Sequence, residues 1–206
     1  MPYVVHPRKI KRLGALMSAA LVLVAALPAV AGAACPTTAT TQPFKKWGDT
    51  AAYSPVANGH FEAGTAGWSL TGSSVATGNE SFKVRSSTDA RSLAIQPTGL
   101  ATSPAFCVGV EHPTFRFFAR KTSGSWATML VKLRWTDSAG HTNDTTVGSL
   151  DGGAYASWMP SQSLQLAQTL PLWQAGSSLS VRIMFDPENY GGDWAIDDVY
   201  IDPYRK

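Results

Sequence analysis

Beyond Tyr53 the chain is punctuated by turn residues about every ten positions, and the pieces between them are short and rich in Val, Phe, Trp, Thr and Leu. No segment keeps a helical stripe through three turns. The candidate strands are GWSLTG (67–72), SFKVR (81–85), RSLAIQ (91–96), SPAFCVGV (103–110), TFRFFARK (114–121), ATMLVKLRWTD (127–137), TTVGSL (145–150), SWMPSQSLQL (157–166), SLSVRIMFD (178–186) and DWAIDDVYI (193–201). Only the stretch from Trp158 to Leu172 is ambiguous, with room for a short helical turn between Gln168 and Trp173.

Alternation sets the layers. Phe115, Phe117 and Ala119 oppose Thr114, Arg116 and Phe118, while Met129, Val131, Leu133 and Trp135 oppose Leu130, Lys132 and Arg134. Strands with one apolar face, about nine or ten of them in one domain, require two packed sheets. The expected fold is therefore all-β, a two-sheet antiparallel β-sandwich of the jelly-roll kind.

The N-terminus reads differently. His6, Arg8, Lys9, Lys11 and Arg12 precede the apolar run LGALMSAALVLVAALPAVAGAA, which ends in small residues, the pattern of a secretory signal peptide over residues 1–33. Gly32 stands where a lipobox would want Leu or Val, which argues against a lipid anchor on Cys35. The Ala-rich leader suggests a bacterial source. An extended arm is expected over 34–55, held by Cys35, Phe44 and Trp47, followed by one domain over 56–206.

Charge matters only after the leader is set aside. The whole chain has 17 basic and 14 acidic residues and a formal charge of +3. Without Arg8, Lys9, Lys11 and Arg12 the balance falls to −1. Nothing then suggests a nucleic-acid surface, and no second apolar run approaches the roughly 20 residues that span a bilayer. The expected product is secreted and extracellular, with no membrane attachment after cleavage. Its two cysteines, Cys35 and Cys107, form an even count in an oxidising compartment, and a disulfide between them is expected, the alternative being two unpaired buried thiols.

WAIDDVYIDPY (194–204) raises the sharpest chemical question, because it sets three aspartates in and beside a strand, where a buried carboxylate needs a hydrogen-bond partner or a cation. Strand parity would turn Asp197 toward the core with Val199 and Ile201, and Asp198 the other way with Ile196 and Tyr200. In the plainer reading Asp193 and Asp202 cap the strand, and Asp197 and Asp198 accept hydrogen bonds from backbone or arginine.

NGHFEAGTAGWSL (58–70) resembles the opening of jelly-roll carbohydrate-binding modules of families 4, 9 and 22 and their galactose-binding-like relatives, and WAIDDVYI (194–201) resembles their closing strand. GNESFKV (78–84) is similar to their second-strand segment, so the resemblance covers roughly residues 56–202. It implies a structural calcium held by the side chains of Glu62, Glu80 and Asp197 or Asp198, with backbone carbonyls of His60 and Lys83. Calcium accepts such a mixed set of six to eight oxygens.

A sugar site needs aromatic platforms and polar side chains for hydroxyls. The candidates are Trp126, Trp135, Tyr155, Trp173, Tyr190 and Arg134, with Trp126 and Tyr190 beside Gly-rich turns that suit a rim. Trp68, Trp158 and Trp194 fall in strand motifs and are expected in the core.

Catalysis has little equipment: no G-x-S-x-G, no His-Glu-x-x-His and no phosphate loop. Asp186 and Glu188, flanking a proline, are the two carboxylates that a glycosidase would need, provided they faced each other across a cleft; the plainer reading is a polar loop between the last two strands. The expected function is a secreted, non-catalytic module whose partner is a polysaccharide or other glycan of a cell wall or the environment. Its alternatives are an extracellular structural domain or one that engages another extracellular protein, and, last, a polysaccharide hydrolase or lyase.

Overall fold

The computed structural model describes residues 1–4, 35, 36, 38–172, 177–188 and 191–203. The chain divides into two compact units, Met1–Val30 and Ala31–Lys206. The first contributes only exposed residues 1–4 to the described set, and the expected leader lies almost wholly outside it. Among the described residues no helix is long and apolar enough to cross a membrane.

The second unit is built of antiparallel strands: β1 (Ser54–Pro55), β2 (Ser69–Thr77), β3 (Arg91–Thr102), β4 (Phe106–Gly109), β5 (Thr114–Lys121), β6 (Thr128–Thr136), β7 (Thr142–Asp151), β8 (Met159–Pro160), β9 (Leu164–Gln165), β10 (Ser178–Asp186) and β11 (Trp194–Ile201). They form one continuous ladder, β7-β6-β10-β3-β11-β5-β8, with β1, β2, β4 and β9 attached at its sides.

The ladder becomes a sandwich by turning a corner in β3. Leu93, Ala94 and Ile95 pair with β11, whereas Ala101 and Thr102 pair with β10. Opposite the bend, the β2–β3 register shifts between Thr71 and Ser73, and Gly72 takes φ +54°. Gly99 faces it so closely that a Cβ there would lie 2.4 Å from the Gly72 carbonyl oxygen, so the corner requires a glycine pair.

Alternating residues from both layers meet inside. Met129, Val131 and Leu133 of β6 and Val181, Ile183 and Phe185 of β10 share one cluster with Phe115, Phe117 and Ala119 of β5 and Ile196, Val199 and Ile201 of β11. Phe117 packs edge-on against Phe185 with ring centroids 4.8 Å apart, and Trp68 and Trp194 join the same core.

A second, smaller cluster lies on the outer side of β5 and β11, where the arm crosses. Phe44 and Tyr53 from the arm meet Phe118, Trp158, Ala195 and Tyr200, and Trp47 packs at the margin. Phe44 stacks on Phe118 at 5.4 Å, and the Arg116 guanidinium lies 4.5 Å from the Phe44 ring centroid while bonding Asp49 at 2.7 Å. One turn of 3-10 helix, Lys45–Trp47, supports this contact, and Cys35 is joined to Cys107 of β4 across a sequence separation of 72.

Two expected strands change character. SFKVR is a loop, because its backbone amides are turned inward onto the Glu80 carboxylate and Lys83 takes φ +53°. SWMPSQSLQL shrinks to the short pairings β8 and β9, followed by a 3-10 turn at Ala167–Thr169 within the ambiguous stretch.

Candidate functional site

The acidic pocket begins with an extra residue in β11. Against β5, the register shifts between Asp197 and Tyr200. Ile196, Val199 and Ile201 all reach the main core, while Ala195 and Tyr200 reach the outer cluster. A step of three separates Ile196 from Val199, so simple alternation fails across the two aspartates and parity does not assign their directions. Asp198 occupies the bulge with φ +49°, and both carboxylates are buried.

The opening motif is knitted against this bulge. Val56 donates its amide to the Val199 carbonyl at 2.9 Å, and Val199 donates to the Gly59 carbonyl at 3.1 Å. A Cβ at Gly59 would meet that Val199 oxygen at 2.9 Å, which explains glycine there. The Asn58 side chain donates to the carbonyls of Gly64 and Ala66 and accepts from the Ala63 amide, and the Trp68 indole N–H closes the turn on the Asn58 carbonyl. These residues mark the fold by making its first turn.

Four carboxylates gather here with different degrees of satisfaction. Asp197 accepts the amides of Glu80 and Asp198, each at 2.9 Å. Glu80 accepts the Val84 amide at 2.7 Å and the Phe82 amide. Glu62 accepts the amides of Ala90 and Arg91 on one oxygen, both at 2.8 Å. Asp198 Oδ2 is buried without a hydrogen-bond partner.

Burial, and after it the neighbouring Asp198 charge, pushes the Asp197 carboxyl up to about 9. Burial, and then the charges of Glu80 and Asp89, pushes Asp198 up to about 7. Asp89 carries the fork of Arg85 at 2.7 and 2.8 Å. His60 accepts the Glu62 amide on Nδ1 at 3.2 Å, and burial holds its imidazole below the usual range.

The uncompensated oxygen therefore sits on Asp198. Among the described residues, the one trio of His, Cys, Asp and Glu whose ligand atoms all lie within 4.8 Å of one another is Cys35, Glu111 and His112, far in sequence from these acids and with Cys35 already in the disulfide.

The sugar candidates separate sharply. Trp126 is 88% exposed on the β5–β6 loop, whereas Tyr155 is 9% exposed and packs on Trp194 in the core. Trp135 follows the inward parity of β6 and packs against the main cluster. Tyr155 thus cannot serve as a solvent platform, and Trp135 is partly buried against that core. Trp173 and Tyr190 lie outside the described residues.

Locked glycines hold the Trp126 loop against the β10–β11 loop. A Cβ at Gly124 would fall 1.9 Å from the Gly191 oxygen, and one at Gly191 would fall 2.5 Å from the Trp126 oxygen. Ser123 donates its hydroxyl to Asp193 Oδ2 at 2.5 Å, and the Thr122 amide donates to the Asp193 carbonyl at 2.8 Å. Thr122 and Asp193 then line a groove of about 510 Å³ with Ser73, Ser74 and Gln96 of β2 and β3. Sequence reasoning found the tryptophan but missed the groove, since β2 and β3 come beside Asp193 only through the fold.

The remaining expected groups lie on the outer face of β6 and β10. Arg134 is forked onto Asp144 at 2.7 and 2.6 Å. Lys132 bonds both Asp186, at 2.9 Å, and Glu188. The Asp186–Glu188 pair considered for hydrolysis is thus clamped by a single ammonium.

Comparison with known proteins defines the class through its fold. No protein-family model matches the chain, and no curated protein does. Among solved structures, the CBM22-1 and GH10 modules of Clostridium thermocellum endo-1,4-β-D-xylanase 10B, complexed with xylohexaose, are similar at 14% identity and a TM-score of 0.50. The match covers 69% of this chain and 27% of that one, so the chain spans about a quarter of the xylanase structure. The CBM22-1 xylan-binding domain of Paenibacillus barcinonensis is 15% identical, covering 67% of this chain and 86% of its own, with a TM-score of 0.46. A non-crystalline cellulose specific module, CBM28, is 14% identical over 72% of this chain and 95% of its own, also at 0.46. The Ala31–Lys206 unit has the jelly-roll β-sandwich fold of carbohydrate-binding modules.

Proposed function

We propose that this chain is an exported glycan-binding module that does no chemistry of its own. The observation that carries the proposal is Trp126, an indole standing in solvent on a loop fixed by backbone-to-glycine contacts. A pyranose offers C–H groups that suit the indole face, and Ser73, Ser74, Gln96 and Thr122 supply hydroxyl and amide partners in the neighbouring groove. The close backbone approach of this loop to Gly191, with the Ser123–Asp193 hydrogen bond, limits the backbone ordering that binding requires. The clamped Asp186 and Glu188 support a non-catalytic role.

Export is part of the proposal, supported by the leader pattern and by the Cys35–Cys107 disulfide. A calcium ion is also part of it. The buried, unpartnered Asp198 oxygen amid Glu80, Asp89 and Glu62 supports a cation, and it makes Asp198 rather than Asp197 the leading ligand, with Glu62, Glu80 and the carbonyls of His60 and Lys83 as the oxygens to complete the set. The ion would neutralise charge and fasten the opening motif to β11.

A glycan array on protein purified with its disulfide formed and calcium present tests the reading. Reproducible binding lost in Trp126→Ala is expected. A blank array from folded protein overturns it in favour of a structural or protein-binding domain.

A further inference from the structure

The outer face of β6 and β10 carries three cations in unequal circumstances. Arg134 and Arg182 are direct cross-strand partners, an arrangement that places like charges side by side. Lys132 is matched by Asp186 and Glu188, and Arg134 by the fork of Asp144. Arg182 donates Nη1 to the Ser103 carbonyl at 2.7 Å, a neutral acceptor, and among the described residues no carboxylate lies within ion-pair distance of it.

Arg182 is half-buried at the edge of a cavity of about 370 Å³. Around it stand Arg134, the hydroxyl residues Thr136, Thr142 and Ser180, and Trp135. A guanidinium presents five donors in a planar fork suited to a carboxylate, and one of them is already engaged by Ser103. Hydroxyls beside the fork are groups that recognise a sugar ring. Every other cation on this face has an acid, so the missing acid is best supplied from outside.

We propose that this cavity is a second binding site, separate from Trp126 and the groove of Thr122 and Asp193, that takes a carboxylate-bearing sugar, a uronic acid residue of a polysaccharide, with Arg182 as the charge-reading residue. The proposal rests on the glycan-binding reading only for the kind of chain that carries the carboxylate.

Titration calorimetry with polygalacturonate and with its fully methyl-esterified form tests it, because the two polymers share a backbone and differ in charge. The acid polymer should bind at least about tenfold more tightly, as expected for a charge-assisted bidentate contact. Arg182→Gln should erase that difference, and Arg182→Lys, which keeps the charge without the fork, should restore part of it. Dextran sulfate should bind more weakly than polygalacturonate. Equal affinity for the acid and ester forms overturns the proposal, as does a preference that survives in folded Arg182→Gln or an equal response to dextran sulfate. The wild-type comparison of acid and ester stands even where a variant fails to fold. A neutral glycan bound through Trp126 with no acid preference overturns this site alone, whereas loss of all neutral binding in an intact protein overturns the earlier reading.

Discussion

The two outer faces of the sandwich are finished in opposite ways. Over β5 and β11 the arm lays Phe44 and Tyr53 onto Phe118, Trp158 and Tyr200, closing a second apolar core. Over β6 and β10 no such cover exists among the described residues, and the face is a ladder of Lys132, Arg134 and Arg182 with Asp144 and Asp186. The same alternating strand pattern produces both. What differs is the outward residue set, aromatic on one side and charged on the other. As a result the covered face contributes stability, and the open one is available to ligands.

The largest expected effect is on the covered face. Phe118→Ala removes a fully buried ring touched by Phe44, Trp47 and Phe82, and should cost about 3–5 kcal/mol in urea unfolding. A loss below about 1 kcal/mol would mean that the arm does not complete a core. Converting Cys35 and Cys107 to Ser opens a closed loop of 72 residues and should cost about 2–4 kcal/mol in the same assay.

The acidic pocket makes stability depend on pH. Asp197 and Asp198 retain their protons to about 9 and about 7 in the folded, metal-free chain, against the usual range near 4 when unfolded. The folded state therefore binds more protons between these limits, and stability present below about pH 4 is lost progressively as pH rises through 7 and then 9. Calcium, by holding the ionised forms, should flatten that slope and raise the melting temperature, and chelation should restore it. A melting temperature indifferent to both pH and calcium would remove the cation from the account.

The smallest stability effects belong to the open face. Arg134→Ala breaks a half-exposed fork and should cost less than about 1 kcal/mol by thermal unfolding. If it rivals Phe118→Ala, the contrast between the faces is wrong.

Much of the frame was readable in the chain. Phe115, Phe117, Met129, Val131 and Leu133 occupy the inward positions their alternation dictated, and Phe44 anchors the arm. What resisted reading depends on contacts distant in sequence. The extra residue at Asp197–Asp198 leaves no local mark, yet it cancels parity and moves the unsatisfied oxygen onto Asp198. SFKVR has a strand's composition and becomes a loop because the Glu80 carboxylate competes for its amides. Tyr155 sits beside glycines as a rim residue would, but its ring is drawn into the core beside Trp194. The groove lined by Thr122 and Asp193 is assembled from β2, β3 and two loops, so no single stretch announces it.

The most direct test of glycan binding through Trp126 is a comparison of wild type and Trp126→Ala by affinity electrophoresis through gels containing polysaccharides, with calcium present and both proteins shown to be equally folded. Binding by the wild type that falls at least about tenfold in the variant is the predicted result, in line with the weight carried by a single aromatic anchor. Equal migration of the two proteins in every gel would contradict it.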